Sequence, residues 1–465
     1  MVSQKLRKKV VIIGAGISGL TTAYWLQQKG IDVTVLEKDS EVGGTMKTVN
    51  ENGWLVESGP NSALETTPLF NQLFTDLGIL DERIYAHEAS NKRYILRDNV
   101  LHPLPMNLPA FLKTKLWSIK GKLRLLKEPF IGRAEKEESI AEFVERRLGR
   151  EFLDYAINPF VAGVYAGNPE DLSVRSAFPK LYALEEKYGG LIKGMIKGRK
   201  ERKQRAEKAK DSAKMFSFKN GMQTLPRALS KVLGDTVHLN ASVINIIPTK
   251  IGERRIFVTT YQQNGETKSV ESDAVILAVP SYVASSIIEP IDPETSKVLN
   301  SIYYPPVAEI VLGYAKENIN RDLDGFGYLI PAKENRKILG TIWSSTIFPN
   351  RAPEGFESFT TFVGGSRSPD LLENSDENIL DITNSEVKSL IGISGSPAFK
   401  KIIRWEKAIP QYKLGYYKTI ATIERFEQNF GGAFICSNYR GGISVGDCVM
   451  SAEKIAEYAT KYLSK

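Results

Sequence analysis

The clearest hydrophobic pattern lies near the start of the chain, where Val10-Val11-Ile12-Ile13 forms an unbroken β-branched run. Such a run predicts a short strand buried on both faces. After the turn Gly14-Ala15-Gly16-Ile17-Ser18-Gly19, apolar Leu20, Ala23, Tyr24 and Leu26 recur at helical spacing until Gly30. Residues 31–36 predict a second strand that delivers Glu37. Residues 273–280 predict a buried strand that brings the chain back to this unit. Residues 434–448, followed by a helix to Tyr462, repeat strand, glycine-rich turn and helix at the far end. The fold class is α/β.

Between the two ends the periodicity is mixed. Leu69, Leu73, Phe74 and Leu77 mark an amphipathic helix closed by Gly78. Residues 91–96 are strand-like, and a proline-punctuated loop follows at 102–105. From 110 to 127 basic and large apolar residues alternate at helical spacing. That suits a core-facing helix, or one lying in a membrane interface with Trp117 and the lysines as anchors. Ser139-Ile140-Ala141-Glu142 opens another helix as a capping box, continued by 152–157. Residues 158–169 are a tight, small-residue segment, and 216–225 predict strand, turn and helix. Strands are expected at 237–247 and 255–261, and strands and helices alternate from about 290 to 405. Within that stretch, 339–348 predicts one strand stopped by Pro349-Asn350, and 360–365 another ending in glycines.

Composition narrows the class. With 465 residues, 42% hydrophobic and 25% charged, the chain can bury two or three substantial cores. No apolar run approaches the ~20 residues of a membrane span, so no transmembrane helix is expected. The basic start lacks an apolar segment, so no signal peptide is expected either. Two cysteines, Cys436 and Cys448, and three histidines argue for a reducing compartment and against any metal or disulfide framework. The net charge of +8 is concentrated between 187 and 214, with eleven Lys/Arg against three acids. This is a solvated face or loop, or a patch drawn to anionic headgroups at roughly 1 kcal/mol per base. No aromatic interleaving accompanies it, so nucleic acid is not an expected partner.

The opening turn carries the chemistry. Gly14 permits a sharp turn, Gly16 lets backbone approach a pyrophosphate, and Gly19 lets helix pack on strand. The helix N-terminus offers free N–H groups to phosphate. Glu37 stands near the ~20-residue offset at which a carboxylate accepts ribose hydroxyls. A glycine pair, Gly43-Gly44, follows shortly before Thr45. It resembles the motif of the flavoprotein amine oxidase superfamily, which implies FAD rather than a nicotinamide.

Four further segments extend the resemblance. They are Asn158-Pro-Phe-Val-Ala-Gly-Val-Tyr-Ala-Gly-Asn-Pro169, Phe218-Lys-Asn-Gly-Met-Gln-Thr-Leu225, Ala408-Ile-Pro-Gln-Tyr412 and Asn438-Tyr-Arg-Gly-Gly-Ile-Ser-Val-Gly-Asp447. In this order they make the chain similar to flavin-dependent protoporphyrinogen oxidases along essentially its whole length. The resemblance implies an FAD-binding Rossmann-like domain (residues 1–88, 237–295 and 405–465). It also implies a mixed-sheet substrate domain (199–236 and 296–404) and an inserted helical membrane-associating domain (89–198). By motif, Gly14, Ala15, Gly16, Ile17, Ser18 and Gly19 would hold the pyrophosphate, and Glu37 with Lys38 the adenosine ribose. Gly44, Thr45, Gly59, Pro60, Asn61 and Ser62 would lie along the flavin chain, and Val243 would meet the adenine through its backbone. Tyr417, Ile443, Ser444 and Val445 would border the flavin. No cysteine lies near Gly415-Tyr416-Tyr417, so FAD is expected to be non-covalent.

For substrate, Arg93 resembles the arginine that pairs with a tetrapyrrole propionate, Phe348 the aromatic stacked on a pyrrole, and Leu329 and Ile342 the aliphatic walls. The implied reaction takes six hydrogens from protoporphyrinogen IX in three two-electron steps, for heme biosynthesis. Oxygen or another acceptor reoxidises the flavin, and no general base is nominated. The implied location is the cytoplasm, peripherally on the inner face of the cell membrane, with room for a homodimer and for hand-over of product to a chelatase. Coproporphyrinogen III oxidase is the nearest alternative. Behind it stand an amine oxidase or carotenoid desaturase and a flavoprotein without turnover.

Overall fold

A computed structural model describes residues 8–198, 213–252 and 254–465. Most of the basic run, 199–212, lies outside the described residues.

The β-branched opening run becomes the strand Lys9–Ile13, buried from Val10 onward. It is the centre of a five-stranded parallel sheet, flanked by Asp32–Leu36 and Ala274–Leu277, with Val237–His238 and Ala433–Ile435 at the edges. Alternation within a parallel strand feeds both faces. Val10 and Ile12 join a core with Leu20, Ala23, Val449 and Ala452, whereas Val11 and Ile13 join one with Phe257, Ile288 and Phe426. Helices Ile17–Gln28 and Val445–Leu463 pack together on the first face, so the two chain ends meet. A hairpin sheet of Ala241–Ile251, Arg254–Gln263 and Glu266–Ser272 rises from the second.

A seven-stranded sheet stands beside this unit, in the order Phe399–Trp405, Val307–Ala315, Phe356–Gly364, Ile338–Trp343, Gly325–Leu329, Lys92–Arg97, Val100–Pro103. Only the pair Gly325–Leu329 and Lys92–Arg97 is parallel. One face is closed by the helix Asp376–Ile391 through Ile379, Val387 and Ile391 against Ile310, Leu312, Tyr328 and Trp343. On the other face lie the strand Trp54–Glu57, with Trp54 and Val56 against Val311 and Phe399, and the helix Asn158–Tyr165, with Ala162 against Val307 and Leu339.

The capping box at Ser139 and Glu142 forms as the spacing predicts. Three expectations change. The strand expected over 237–247 is two, Val237–His238 in the parallel sheet and Ala241–Ile251 in the hairpin sheet, broken at Asn240 with φ of 54°. The strand expected over 339–348 ends at Trp343, and Ser344–Ile347 is a helical turn. Ser344 and Thr360 share a hydroxyl bond of 2.7 Å and Ser345 Oγ accepts from Ser358 N, contacts that pull the chain out of the ladder. The basic-apolar stretch is not one helix but Leu108–Lys113, Ile119–Arg124 and the 3₁₀ segment Leu125–Phe130. Asn107 and Ser118 each cap a new start. Trp117, expected at a membrane surface, is buried and stacked on Phe152 at 4.6 Å, because that partner arrives from 35 residues downstream.

Candidate functional site

The glycine turn is shaped by collisions that only glycine avoids. Gly14 has φ of 103°, and a Cβ there would stand 2.7 Å from Ala278 O. A Cβ on Gly19 would collide with Gly14 O, so helix and strand touch at this point. Gly16 differs: its Cβ would project into open space, and it caps the helix Ile17–Gln28 without any side-chain bond to the first N–H groups. Unfilled space beside unpaired helix N–H groups fits an incoming pyrophosphate. Ile17 opens that helix, and Ser18 O accepts from Thr22 Oγ1.

Glu37 is buried at the end of the neighbouring strand. Its Oε2 accepts from Ala15 N at 2.6 Å and Oε1 from Asp39 N at 3.0 Å, so backbone amides hold the carboxylate at the turn. Lys38 is exposed beside it. Ala241 N donates to Glu37 O, which lays the strand bearing Val243 along the acid, with a bulge between Val243 and Asn245. The glycine pair closes the other side. Gly43 N donates to Ala15 O, and a Cβ on Gly44 would stand 3.4 Å from Gly16 Cα. Thr45 is exposed there, and its carbonyl would collide with any Cβ on Gly59. Ser444, after Ile443, caps the helix Val445–Leu463 and forms a reciprocal box with Asp447. Tyr417 is 43% exposed in the first turn of Tyr416–Asn429, with the Arg175 guanidinium 5.4 Å from its ring centroid.

Strand register gathers three of the four expected substrate residues. Arg93 is paired with Gly327, Gly327 with Ile342, and Ile342 with Thr360. One row along, Ile95, Leu329, Gly340, Phe362 and Glu309 are paired in turn. Paired residues share a face, and so do residues two apart on a strand. Arg93, Leu329, Ile342 and Glu309 therefore lie on the side away from the Asp376–Ile391 helix. A Cβ on Gly163 would stand 2.6 Å from Leu329 Cδ2, so the helix Asn158–Tyr165 lies against this face. Phe348 comes after the helical turn, buried, with the Arg351 guanidinium 5.4 Å from its ring centroid.

Sequence reasoning missed the polar junction between the two units. Glu57 is buried 3.5 Å from Arg351 and accepts from Thr48 Oγ1 and Met222 N. Burial raises its carboxyl above the usual range against the lowering pull of Arg351. Pro60 and Ser62 are half-buried on the adjoining turn, where Asn61 Nδ2 donates to Glu309 Oε1 at 3.0 Å. The available signal was an acid ending the apolar run 54–56 and another inside the apolar run 307–312. Among the described residues no acidic, cysteine or histidine group is arranged to hold a metal ion, and no helix is long and apolar enough to cross a membrane.

The family described as flavin containing amine oxidoreductase matches residues 17–460. The chain is 34% identical to protoporphyrinogen oxidase 2, chloroplastic/mitochondrial, of Arabidopsis thaliana, across 98% of this chain and 94% of that protein. It is 29% identical to coproporphyrinogen III oxidase of Bacillus subtilis (strain 168), across 98% and 99%. The crystal structure of reduced UDP-galactopyranose mutase superposes with TM-score 0.75 at 15% identity, covering 98% of this chain and 96% of that one, a likeness of fold.

Proposed function

Because the chain belongs to the flavin containing amine oxidoreductase family, we propose that it oxidises protoporphyrinogen IX to protoporphyrin IX with FAD. Bound FAD supplies the two-electron acceptor for each of three steps. The residues contribute binding and orientation: Gly14–Gly19 and Glu37 hold the dinucleotide, and Leu329 and Ile342 form apolar walls against the macrocycle. Phe348 stacks on a pyrrole, and Arg93 takes a propionate.

The observation that carries the reading is the sheet face itself. It is apolar around Leu329 and Ile342 and has an exposed arginine at its end, whose guanidinium lies 5.6 Å from the Phe326 ring centroid. Among the described residues Arg93 has no carboxylate partner, so its fork is available to one brought by a ligand. The length-spanning similarity to the Bacillus subtilis coproporphyrinogen III oxidase favours one second reading, coproporphyrinogen III as substrate. Anaerobic mixing with each porphyrinogen decides. Protoporphyrinogen is expected to bleach the flavin and produce porphyrin fluorescence, and R93A to weaken its binding by ~10-fold or more. If coproporphyrinogen alone bleaches it, the second reading replaces the first; if neither does, both fall.

The helical segment around 108–130 supports peripheral attachment to an anionic membrane surface. Leu112, Ile119, Leu126 and Phe130 are 63%, 76%, 68% and 89% exposed, interleaved with Lys113, Lys115, Lys120, Lys122 and Lys127. The three-part division of the chain given above belongs to the same proposal, except that the strands Lys92–Arg97 and Val100–Pro103 lie in the seven-stranded sheet and Phe216, Phe218, Leu225 and Leu233 pack in the core of the opening sheet. A cytoplasmic location and oxygen as acceptor belong to it too.

A further inference from the structure

Resting on that reading for the role of the 59–62 turn, we propose that Glu309 is a proton-holding positioning residue that fixes the Asn61 amide between the flavin turn and the substrate-facing side of the sheet. The strand Val307–Ala315 is buried from Val307 to Tyr314, and Glu309 is its one acid. An apolar residue there would serve the core with no desolvation penalty. Among the described residues the carboxyl has one side-chain hydrogen-bond partner. Asn61 Nδ2 donates to Glu309 Oε1 at 3.0 Å and to Gly59 O at 3.1 Å. Both amide hydrogens are thereby engaged, and the side chain offers only the acceptor Oδ1 to whatever lies in front of the turn.

The surroundings keep the acid neutral. From the 54–57 strand it faces Glu57, whose charge is answered by Arg351 at 3.5 Å. Its strand neighbours, Phe362 and Ile403, carry no charge, and Lys401 in the next row is paired with Glu51. Among the described residues no cation stands within ion-pair distance of Glu309. Burial therefore pushes the carboxyl up to about 8, opposed by the Asn61 bond and reinforced by Glu57. At neutral pH the group holds its proton and still accepts from Asn61 through Oε1. On the alkaline side it places a negative charge at the junction.

The test is the midpoint potential of the bound flavin against pH, by dithionite titration of the full-length holoenzyme, for wild type, E309Q and E309L. Glutamine keeps the acceptor but cannot ionise; leucine removes it. The wild type is expected to change slope near pH 8, E309Q to lose that break while matching wild type below it, and E309L to be displaced at every pH. Carboxyl infrared absorption should titrate over the same range and be missing in E309Q. Coincident curves for wild type and E309Q overturn the proton-holding role, and a loaded E309L with the wild-type potential overturns the positioning role. Dithionite, not a porphyrinogen, is the reductant, so failure of the substrate reading leaves this result standing.

Discussion

Two glycines three residues apart make opposite demands. The missing Cβ of Gly19 keeps helix against strand, since any side chain there strikes Gly14 O, whereas that of Gly16 leaves open space at a helix N-terminus. G19A is therefore an overpacking change, expected to destabilise flavin-stripped protein by about 1–3 kcal/mol. G16V is expected to leave the unfolding midpoint of the stripped protein in place and to weaken FAD binding by ~10-fold or more, because backbone can no longer approach the pyrophosphate. Thermal unfolding of stripped protein and quenching of flavin fluorescence separate the two effects. A G16V variant that binds FAD like wild type would show that Gly16 is no pyrophosphate cradle.

At the scale of elements, the helical segment is held by a buried ion cluster. Arg147 is fully buried and donates to Glu185 at 2.5 Å, to Glu128 at 2.9 Å and to the carbonyls of Ile131, Gly132 and Gly189. Glu128 in turn accepts from Leu191 N and Ile192 N, fastening the 3₁₀ segment to the helix Leu191–Lys197. Burial pushes the Glu185 carboxyl up, but Arg147, Ala134 N–H and Arg146 together hold it below the usual range. A depressed folded value means this stability is present above the unfolded value of roughly 4.3 and is lost as pH falls through the folded one. R147A leaves the buried Glu128 carboxylate without its ion-pair partner and Glu185 with Arg146 alone, and is expected to cost about 3–5 kcal/mol in urea unfolding, whereas R147M/E128L/E185L should recover much of it. An R147A variant as stable as wild type would show that the cluster is not what holds the segment.

The same elements explain what was legible in the sequence. The Ser139–Glu142 box, the opening strand-turn-helix and the matching one at the far end depend on residues a few positions apart, so their spacing carries them. What was not legible is long-range. Arg93 shares a face with Leu329 and Ile342 only through the pairing of strands more than 200 residues apart. The strand break at Trp343 depends on a hydroxyl bond from Ser344 to Thr360, and the burial of Trp117 on Phe152. Glu309 was visible as an acid in an apolar run, but its meaning waits on Asn61, 248 residues earlier.

For the whole molecule, the question is what the 108–130 surface does once the two sheets are joined behind it. Apolar Leu112, Ile119, Leu126 and Phe130 are exposed together on short helices that are fastened from behind by the Arg147 cluster. Lysine stems beside them can cover apolar surface while their charges stay in water. Apolar insertion resists salt, and attraction of the lysines for headgroups is screened over ~8 Å at physiological ionic strength. Sedimentation with vesicles containing phosphatidylserine should therefore show binding that weakens, without vanishing, as salt rises. I119S/L126S/F130S removes three exposed side chains and should cut the salt-resistant part by ~10-fold or more, at roughly 25 cal/mol per Å² of apolar area. Flavin content and porphyrinogen oxidation in detergent should not change, since none of the three lies on the Arg93–Ile342 face. Wild-type binding that vanishes in salt would leave the charges alone responsible and withdraw the apolar contact.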